Sequence, residues 1–247
     1  MDLIDRVILL QKAEKDKGLQ AALLELCSKD PVYWMNAFAW TTNPRKNGRD
    51  LPFNLYPFQE WCIQEWVKNI EEQHDFGIEK SRDMGVTWMI MMIFLWGWLF
   101  KDGWNFHCGS KREQEVCNAI VDPDSTLFGK FRYALQKMPR WMRPEYNDKK
   151  LSILNMQNNN ILTGESANPA FGRSRRYRAI FFDEFAFWEN SEAAYEGCAD
   201  TTNCRIITST PYGEGNYFFQ LMHSQHNEVR IYPGNEDCLR DKGLIAA

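Results

Sequence analysis

At 247 residues the chain is the size of one large domain, or of one domain with a small appendage. Apolar residues at 44 % and charged residues at 25 % exclude a disordered chain, a collagen and a coiled-coil rod. A formal net charge of −4 excludes a histone-like DNA coat but leaves room for a local basic groove.

Residues 1 to about 40 read as helical, because Leu3, Val7 and Leu10, then Leu19, Leu23 and Leu26, recur every three or four positions. Gly18 is expected to break this stretch into two helices, and Asp30-Pro31 to start the next turn of chain. The opening MDLIDRVILLQKAEKDK has acids where a signal peptide has bases, and no small-residue cleavage site, so an unsecreted protein is expected. Seven cysteines, an odd number with no C-x-x-C pair, point to reduced thiols rather than to a disulfide frame or a zinc site. The Pro, Gly and Asn of TTNPRKNGRDLP (41–52) read as a loop. That loop is taken as the boundary between a helical N-terminal region, 1–50, and a main body, 51–247.

Beyond the loop the pattern alternates. Tyr56 to Glu72 reads as a helix and FGIEKS (76–81) as a strand. The uncharged run Trp88 to Phe100 follows; at about 1.5 Å per residue it spans roughly 20 Å, short of a bilayer core of roughly 30 Å. It therefore reads as a helix buried on all sides. Strands are expected at 104–110, 177–184, 204–210 and 228–233, and a hairpin at 151–156 and 161–166. Helices are expected at 111–120, 124–143 and 191–200, and after the GEG turn at 213–215. Strand–helix units with apolar strands predict an α/β fold, a mainly parallel central sheet with helices on both faces. Ligands in such folds sit beyond the carboxyl ends of the strands, and three of these strands end in polar clusters: KSRDMGVT, DEF and TSTP.

In IEKSRDMGVTW (78–88) a strand, a glycine-containing loop and a Thr at a helix start have the order of a phosphate-binding loop. The Thr87 hydroxyl would reach a Mg²⁺ ion, and Lys80 or Arg82 the phosphates. The usual G-x-x-x-x-G-K-[ST] pattern is incomplete, with Ser81 or Lys80 in place of the first Gly and Val86 in the Lys position, so an ordinary strand–helix turn also fits. AIFFDE (179–184) ends a buried strand in two acids, where Asp183 would hold Mg²⁺ and Glu184 would orient or deprotonate a water. IITSTP (206–211) ends a third strand in hydroxyls; alone it also fits a plain turn built by Pro211 and Gly213.

Taken in this order, the segments resemble the ATPase domain of a large terminase, the DNA-packaging motor of tailed phages. LYPFQ (55–59) resembles the adenine motif, with Gln59 as reader, and SRDMGVT (81–87) the variant Walker A loop. FFDE (181–184) resembles Walker B, and TSTPYGEGNYFF (208–219) the coupling motif. The similarity runs from about Leu55 to Phe219 and includes the Arg-rich approach GRSRRYRAIFFDE. It implies a P-loop NTPase of the ASCE/RecA-like type with a small helical lid-like N-terminal region. It also implies an ATP hydrolase that uses Mg²⁺ to move double-stranded DNA into a procapsid. ATP would be held by Gln59, Lys80, Ser81, Arg82, Asp83, Met84, Gly85, Val86 and Thr87, and the metal by Thr87 and Asp183. Glu184 would activate water, and Ser209 and Thr210 would sense the γ-phosphate. Lys80, at the front of the loop, would take over the role absent at Val86.

In ATPase rings an Arg from a neighbouring subunit often completes the site, worth roughly 10³–10⁵ in rate in comparable trans-activated GTPases. Arg176 is the favoured candidate, with Arg173 and Arg175 as rivals. The portal protein, the small terminase subunit and a homo-oligomeric ring on the procapsid are partners implied by the resemblance, in the host cytoplasm and with no membrane. The family's nuclease domain lies after the ATPase domain and has no counterpart before Ala247, so no DNA cleavage is expected from this chain. His223 and His226 are spaced for one helix face but lack a further ligand. Trp61, Trp66, Trp96 and Trp98 are expected in the core. Lys111, Arg112, Lys130, Arg132, Lys137, Arg140 and Arg143 make the middle of the chain basic, as a solvated helix face or a DNA-facing surface. Two other readings share some of these features: a superfamily-2-like helicase, and a nucleotide-binding scaffold without hydrolysis, which Val86 favours and Glu184 opposes.

Overall fold

The computed structural model describes residues 1, 3–42, 50–82, 84–118, 125–224 and the backbone of 230–231. The chain opens with α1 (Leu3–Lys15), α2 (Lys17–Lys29) and α3 (Pro31–Phe38). The break between α1 and α2 falls at Asp16 rather than at Gly18. The Asp16 carboxylate accepts the Leu19 N–H at 3.0 Å and caps α2, so Gly18 lies inside the first turn. Asp30 caps α3 in the same way, with Pro31 at the first helical position.

The inward face of α1 also differs from the expected one. Arg6 is fully buried and donates to the carbonyls of Asn36 and Ala39 at the end of α3. A cation at the carbonyl end of a helix is favoured by the helix dipole, while burial pulls its pKa down to about 10. With Arg6 and Ala13 turned inward, Leu3 and Val7 are left 50 % and 41 % exposed.

The segment expected as a loop contains a small antiparallel ladder, β1 (Trp40–Thr42) with β2 (Asp50–Pro52); residues 43–49 lie outside the described residues. α4 (Pro57–Glu72) follows, then β3 (Phe76–Glu79) and α5 (Val86–Phe100). α5 is buried along most of its length and packs against α3 and α4. Its indole Trp96 donates to Cys27 O at 2.7 Å, so α2 and α5 share one core. Trp66, Trp96 and Trp98 are buried as expected, whereas Trp61 is 53 % exposed, on the outer face of α4. Among the described residues no helix is long and apolar enough to cross a membrane.

The remaining elements are β4 (Phe106–Ser110), α6 (Glu113–Val116), α7 (Leu127–Lys137), β5 (Tyr146–Lys149), β6 (Ser152–Asn155) and β7 (Ile161–Ser166). After them come β8 (Ala179–Phe182), α8 (Ser191–Gly197), β9 (Arg205–Ser209), α9 (Tyr217–His223) and β10 (Arg230–Ile231). β5 extends the expected β6–β7 hairpin by one antiparallel strand. The main sheet runs β10-β3-β9-β8-β4-β7-β6-β5, parallel from β10 to β7. β9 therefore lies between β3 and β8, although it follows both in sequence. Its register, Glu79 beside Ser209 and Phe182 beside Ile207, brings the three polar strand ends together at one edge. The fold is thus the α/β, P-loop NTPase-like architecture with a mainly parallel sheet. Gly109 in β4 permits a close approach: a Cβ there would meet the Phe171 ring at 2.2 Å.

Candidate nucleotide site

Lys80 directly follows β3, and its backbone N–H continues the ladder to Ser209 O at 3.1 Å. Its side chain crosses in front of β9 to Glu184, with Nζ 3.1 Å from Oε1. This pair is only partly open to solvent, at 11 % and 29 % side-chain exposure, so it is held more tightly than a surface ion pair. Glu184 adopts a left-handed backbone, φ 53°, costly for a residue with a Cβ. The sharp turn follows from β8 ending there: Asp183 N–H still donates to Gly109 O, and the chain then folds into a short 3-10 turn, Phe185–Phe187.

Asp183 points to the start of α5. Its Oδ1 accepts the hydroxyls of Thr87 and Thr208, each at 3.2 Å. Burial raises its carboxyl pKa above the usual range; the charges of Lys80 and Lys130 oppose that shift, and Glu184 adds to it. An acid with a folded pKa above its unfolded value costs stability when ionised. The cost is present above the folded pKa and disappears as pH falls through it. Asp183→Asn is therefore expected to raise Tm at neutral pH and to raise it less in acid. Thermal melts at both pH values check this; a lower Tm at neutral pH would contradict it.

The loop between Lys80 and Thr87 is braced from behind. Gly85 has φ 75° and precedes α5, and among the described residues no side chain caps the first amides of α5. Gln59, 4 % exposed at the start of α4, donates from Nε2 to Met84 O at 3.2 Å and accepts Tyr56 N–H at 3.1 Å. Ser81 and Arg82 are exposed at the tip of the loop, Met84 and Val86 are buried, and Asp83 lies outside the described residues. Val86 belongs to the hydrophobic core, so the cation nearest the acids from this loop is Lys80.

Ser209 accepts the Ala186 N–H at 3.2 Å, which ties the third strand end to the turn after Glu184. Thr210 follows at the end of β9, half-buried. Asn216 explains the spacing beyond it: its amide donates to Tyr212 O and Gly213 O, and its oxygen caps α9 at Phe219 N. Thr208 completes the cluster, and it was not singled out for it by the sequence. The signal for Thr208 was a hydroxyl one position inside an otherwise apolar strand.

The Arg-rich segment lies elsewhere. Gly172 N–H donates to Glu165 at 2.6 Å, and the Tyr177 ring stacks on buried His107 with 4.9 Å between centroids. Arg178 binds the Ile70 and Glu71 carbonyls at the end of α4. Arg176 is exposed before the first residue of β8, whereas Asp183 and Glu184 follow its last, so the structure does not bring Arg176 to the acids of its own chain. The basic residues of the middle of the chain do not form one face. Arg132 and Lys137 are paired with Asp148 and Asp50, and Lys130 is buried. His223 is exposed and stacks on Phe219, and His226 lies outside the described residues.

Thr87, Asp183 and Thr208 offer hard oxygen donors, the kind that suits Mg²⁺. Among the described residues no three His, Cys, Asp or Glu side chains converge on a point. The fit is to a metal held by one carboxylate and a hydroxyl together with phosphates, rather than in an all-protein cage.

Residues 78–233 match the family described as terminase large subunit, T4likevirus-type, N-terminal. The fold resembles the large terminase of bacteriophage HK97, with a TM-score of 0.56 at 14 % identity over 76 % of this chain and 39 % of that one. It also resembles the large terminase of a thermophilic bacteriophage in complex with ADP, with a TM-score of 0.56 at 13 % identity over 77 % and 48 %. At these identities the likeness shows the fold, and the chain spans less than half the length of either protein. No curated protein matches the chain by sequence. The family match covers more than half of the 247 residues, and the chain belongs to the large-terminase family, in its N-terminal region.

Proposed function

We propose that this chain is the ATPase motor domain of a phage large terminase, hydrolysing ATP to move double-stranded DNA into a procapsid. The observation that carries the reading is the meeting of Lys80–Glu184 with Thr87–Asp183–Thr208 at one sheet edge, in front of the uncapped start of α5. Lys80 and the amides of the 81–87 loop bind the β- and γ-phosphates, and Arg82 lies at the loop tip to reach over them. Gln59 reads adenine while bracing the loop, Ser81, Met84, Gly85 and Val86 form its wall, and Asp83 is taken as a further ATP contact. Thr87 and Asp183 hold Mg²⁺, which neutralises phosphate charge when bound.

In the ligand-free arrangement Lys80 is paired with Glu184. A γ-phosphate competes for the same ammonium and frees the carboxylate. Glu184 then takes a proton from water as its oxygen bonds to the γ-phosphorus and the bond to the β-phosphate oxygen breaks. Ser209, tied to the turn after Glu184, and Thr210, the next residue, register the loss of phosphate. Arg176 serves the site of a neighbouring subunit in a ring, with Arg173 and Arg175 as alternatives. Region 1–50 flanks the ATPase core of 51–247 as a lid, and portal protein, small subunit and double-stranded DNA are the working partners.

Calorimetric titration of Mg²⁺-ATP into the chain tests the reading, because binding does not require the neighbouring subunit's arginine. Saturable binding of about one ATP per chain is expected. Phosphate release is then expected to rise when the chain is assembled on portal-bearing procapsids with double-stranded DNA. Absence of ATP binding at high protein concentration would overturn the motor reading.

A further inference from the structure

β7 and β8 flank β4 in the sheet, and the chain that joins them, 167–178, crosses without a helix. Parallel strands are usually joined through a helix that packs on the sheet; this crossover is held by polar side chains instead. His107 of β4 is 2 % exposed, beneath the rings of Phe171 and Tyr177, whose centroids lie 4.7 and 4.9 Å from its own. Its Nδ1 is 2.8 Å from the Thr163 hydroxyl and its Nε2 3.0 Å from Glu165 Oε1, both on β7. Glu165 also accepts the Gly172 N–H at 2.6 Å and the Asn168 amide at 3.2 Å. The Tyr177 hydroxyl lies 3.0 Å from that of Thr163 and 2.7 Å from that of Ser174. The crossover is thus tied to β7 at Asn168, Gly172 and Tyr177, and Ser174 is tied to Tyr177. A polar network satisfied in this way specifies one arrangement of the chain.

The three arginines of the crossover ahead of Tyr177 are not equivalent. The Arg173 guanidinium lies against Gly197 at the end of α8. Arg175 and Arg176 occupy the two positions between Ser174 and Tyr177, whose hydroxyls close the turn. Both are exposed, and among the described residues no hydrogen bond or ion pair engages either. Two adjacent cations on a fixed base, away from the acids of their own chain, suit an anion on another molecule. We propose that Glu165, His107 and Tyr177 are positioning residues that hold Arg175 and Arg176 for the γ-phosphate bound by a neighbouring copy of this chain. This assignment rests on the nucleotide site and the ring of the proposed function. An arginine acting across an interface needs such a base, since a misplacement of about 1 Å costs up to about 10² in rate.

The test compares wild type, Glu165→Ala and Glu165→Gln as isolated chains and as motors assembled on portal-bearing procapsids with double-stranded DNA. Calorimetric Mg²⁺-ATP binding by the isolated chains is expected to be equal. Phosphate release by the Glu165→Ala motor is expected to fall by about 10- to 100-fold. Glu165→Gln, whose amide oxygen still accepts the Gly172 N–H, is expected to restore most of it. The doubly substituted Arg175→Ala/Arg176→Ala chain is expected to lose at least as much. Motors are then assembled from Glu165→Ala mixed with Glu184→Gln. In them an intact Glu184 meets, across the interface, arginines held by an intact Glu165, so release is expected to exceed that of either variant alone. Release at the wild-type rate by the Glu165→Ala or the double-arginine motor overturns the assignment. So does weaker ATP binding by the isolated Glu165→Ala chain, or a mixed motor no faster than its parents, because the defect then lies within one chain. Loss of DNA retention with mixed motors still slow hands the arginines to DNA phosphates and overturns it as well. A wild-type motor that releases no phosphate overturns the proposed function and this assignment together. Should Glu165→Ala not fold, Tyr177→Phe, which keeps the ring on His107 and loses only the hydroxyl, takes its place with an expected loss of about fivefold.

Discussion

Glu184→Gln is expected to lower ATP hydrolysis by roughly 10²–10⁴ in the assembled motor while leaving Mg²⁺-ATP binding intact. Glutamine keeps the size and one oxygen of the side chain but cannot accept the proton of the attacking water. Binding is expected to stay equal or to tighten, because Glu184 Oε1 lies 3.1 Å from Lys80 Nζ in the ligand-free site. Removing the carboxylate charge leaves that ammonium to the phosphate alone. Single-turnover phosphate release and calorimetry on the same preparations separate the two effects. Hydrolysis at the wild-type rate would take the catalytic role away from Glu184, whatever the binding result.

Lys80→Ala acts at the other end of the same pair, with the opposite signature. Loss of a charge-assisted contact to the phosphates is worth about 1.5–3 kcal/mol, so ATP affinity is expected to fall by about 10- to 100-fold. Hydrolysis is expected to fall with it at subsaturating ATP. The cost to folding is small by comparison, because Glu184 keeps 29 % of its side-chain surface in contact with solvent and is not stranded as a buried charge. A melting curve near wild type together with weak ATP binding is the expected combination. Binding equal to wild type would move the phosphate role to Arg82, which shares the loop.

The pairing of these variants also tests the idle state. If Lys80 restrains Glu184 before ATP arrives, the two substitutions are coupled. The double variant is then expected to bind ATP more weakly than the sum of the single effects allows, because the gain from Glu184→Gln comes from freeing an ammonium that Lys80→Ala has already removed.

Much of the architecture is legible in the residues themselves. Short apolar strands alternating with helical segments identify a parallel sheet, since only strands covered on both faces can be continuously apolar, as AIFF is. The all-round hydrophobicity of Trp88 to Phe100 identifies α5 as a helix buried between layers rather than one with a wet face. Polar residues directly after such strands, in EKS, FFDE and TSTP, mark where backbone and side chains become available to a ligand. Local pattern misleads where a single polar residue overrides periodicity. Arg6 rotates α1 because its guanidinium finds the carbonyls of Asn36 and Ala39, and no apolar count anticipates that. Asp16 ends one helix and caps the next, a stronger signal than the flexibility of Gly18.

By itself, then, the sequence determined the class of the fold, the strand ends that carry chemistry and the order in which they occur. These follow from composition, period and the choice of residues at strand ends, all of which are local. The tertiary structure decided the neighbours. The crossover that inserts β9 between β3 and β8 set Lys80 against Glu184 and Thr208 against Asp183, more than a hundred positions apart in the first pair and twenty-five in the second. It turned Lys130 inward and left Arg176 at the opposite end of β8 from the acids. Strand order and helix packing are set by how the whole hydrophobic surface is buried at once, a sum over distant residues that no local segment contains.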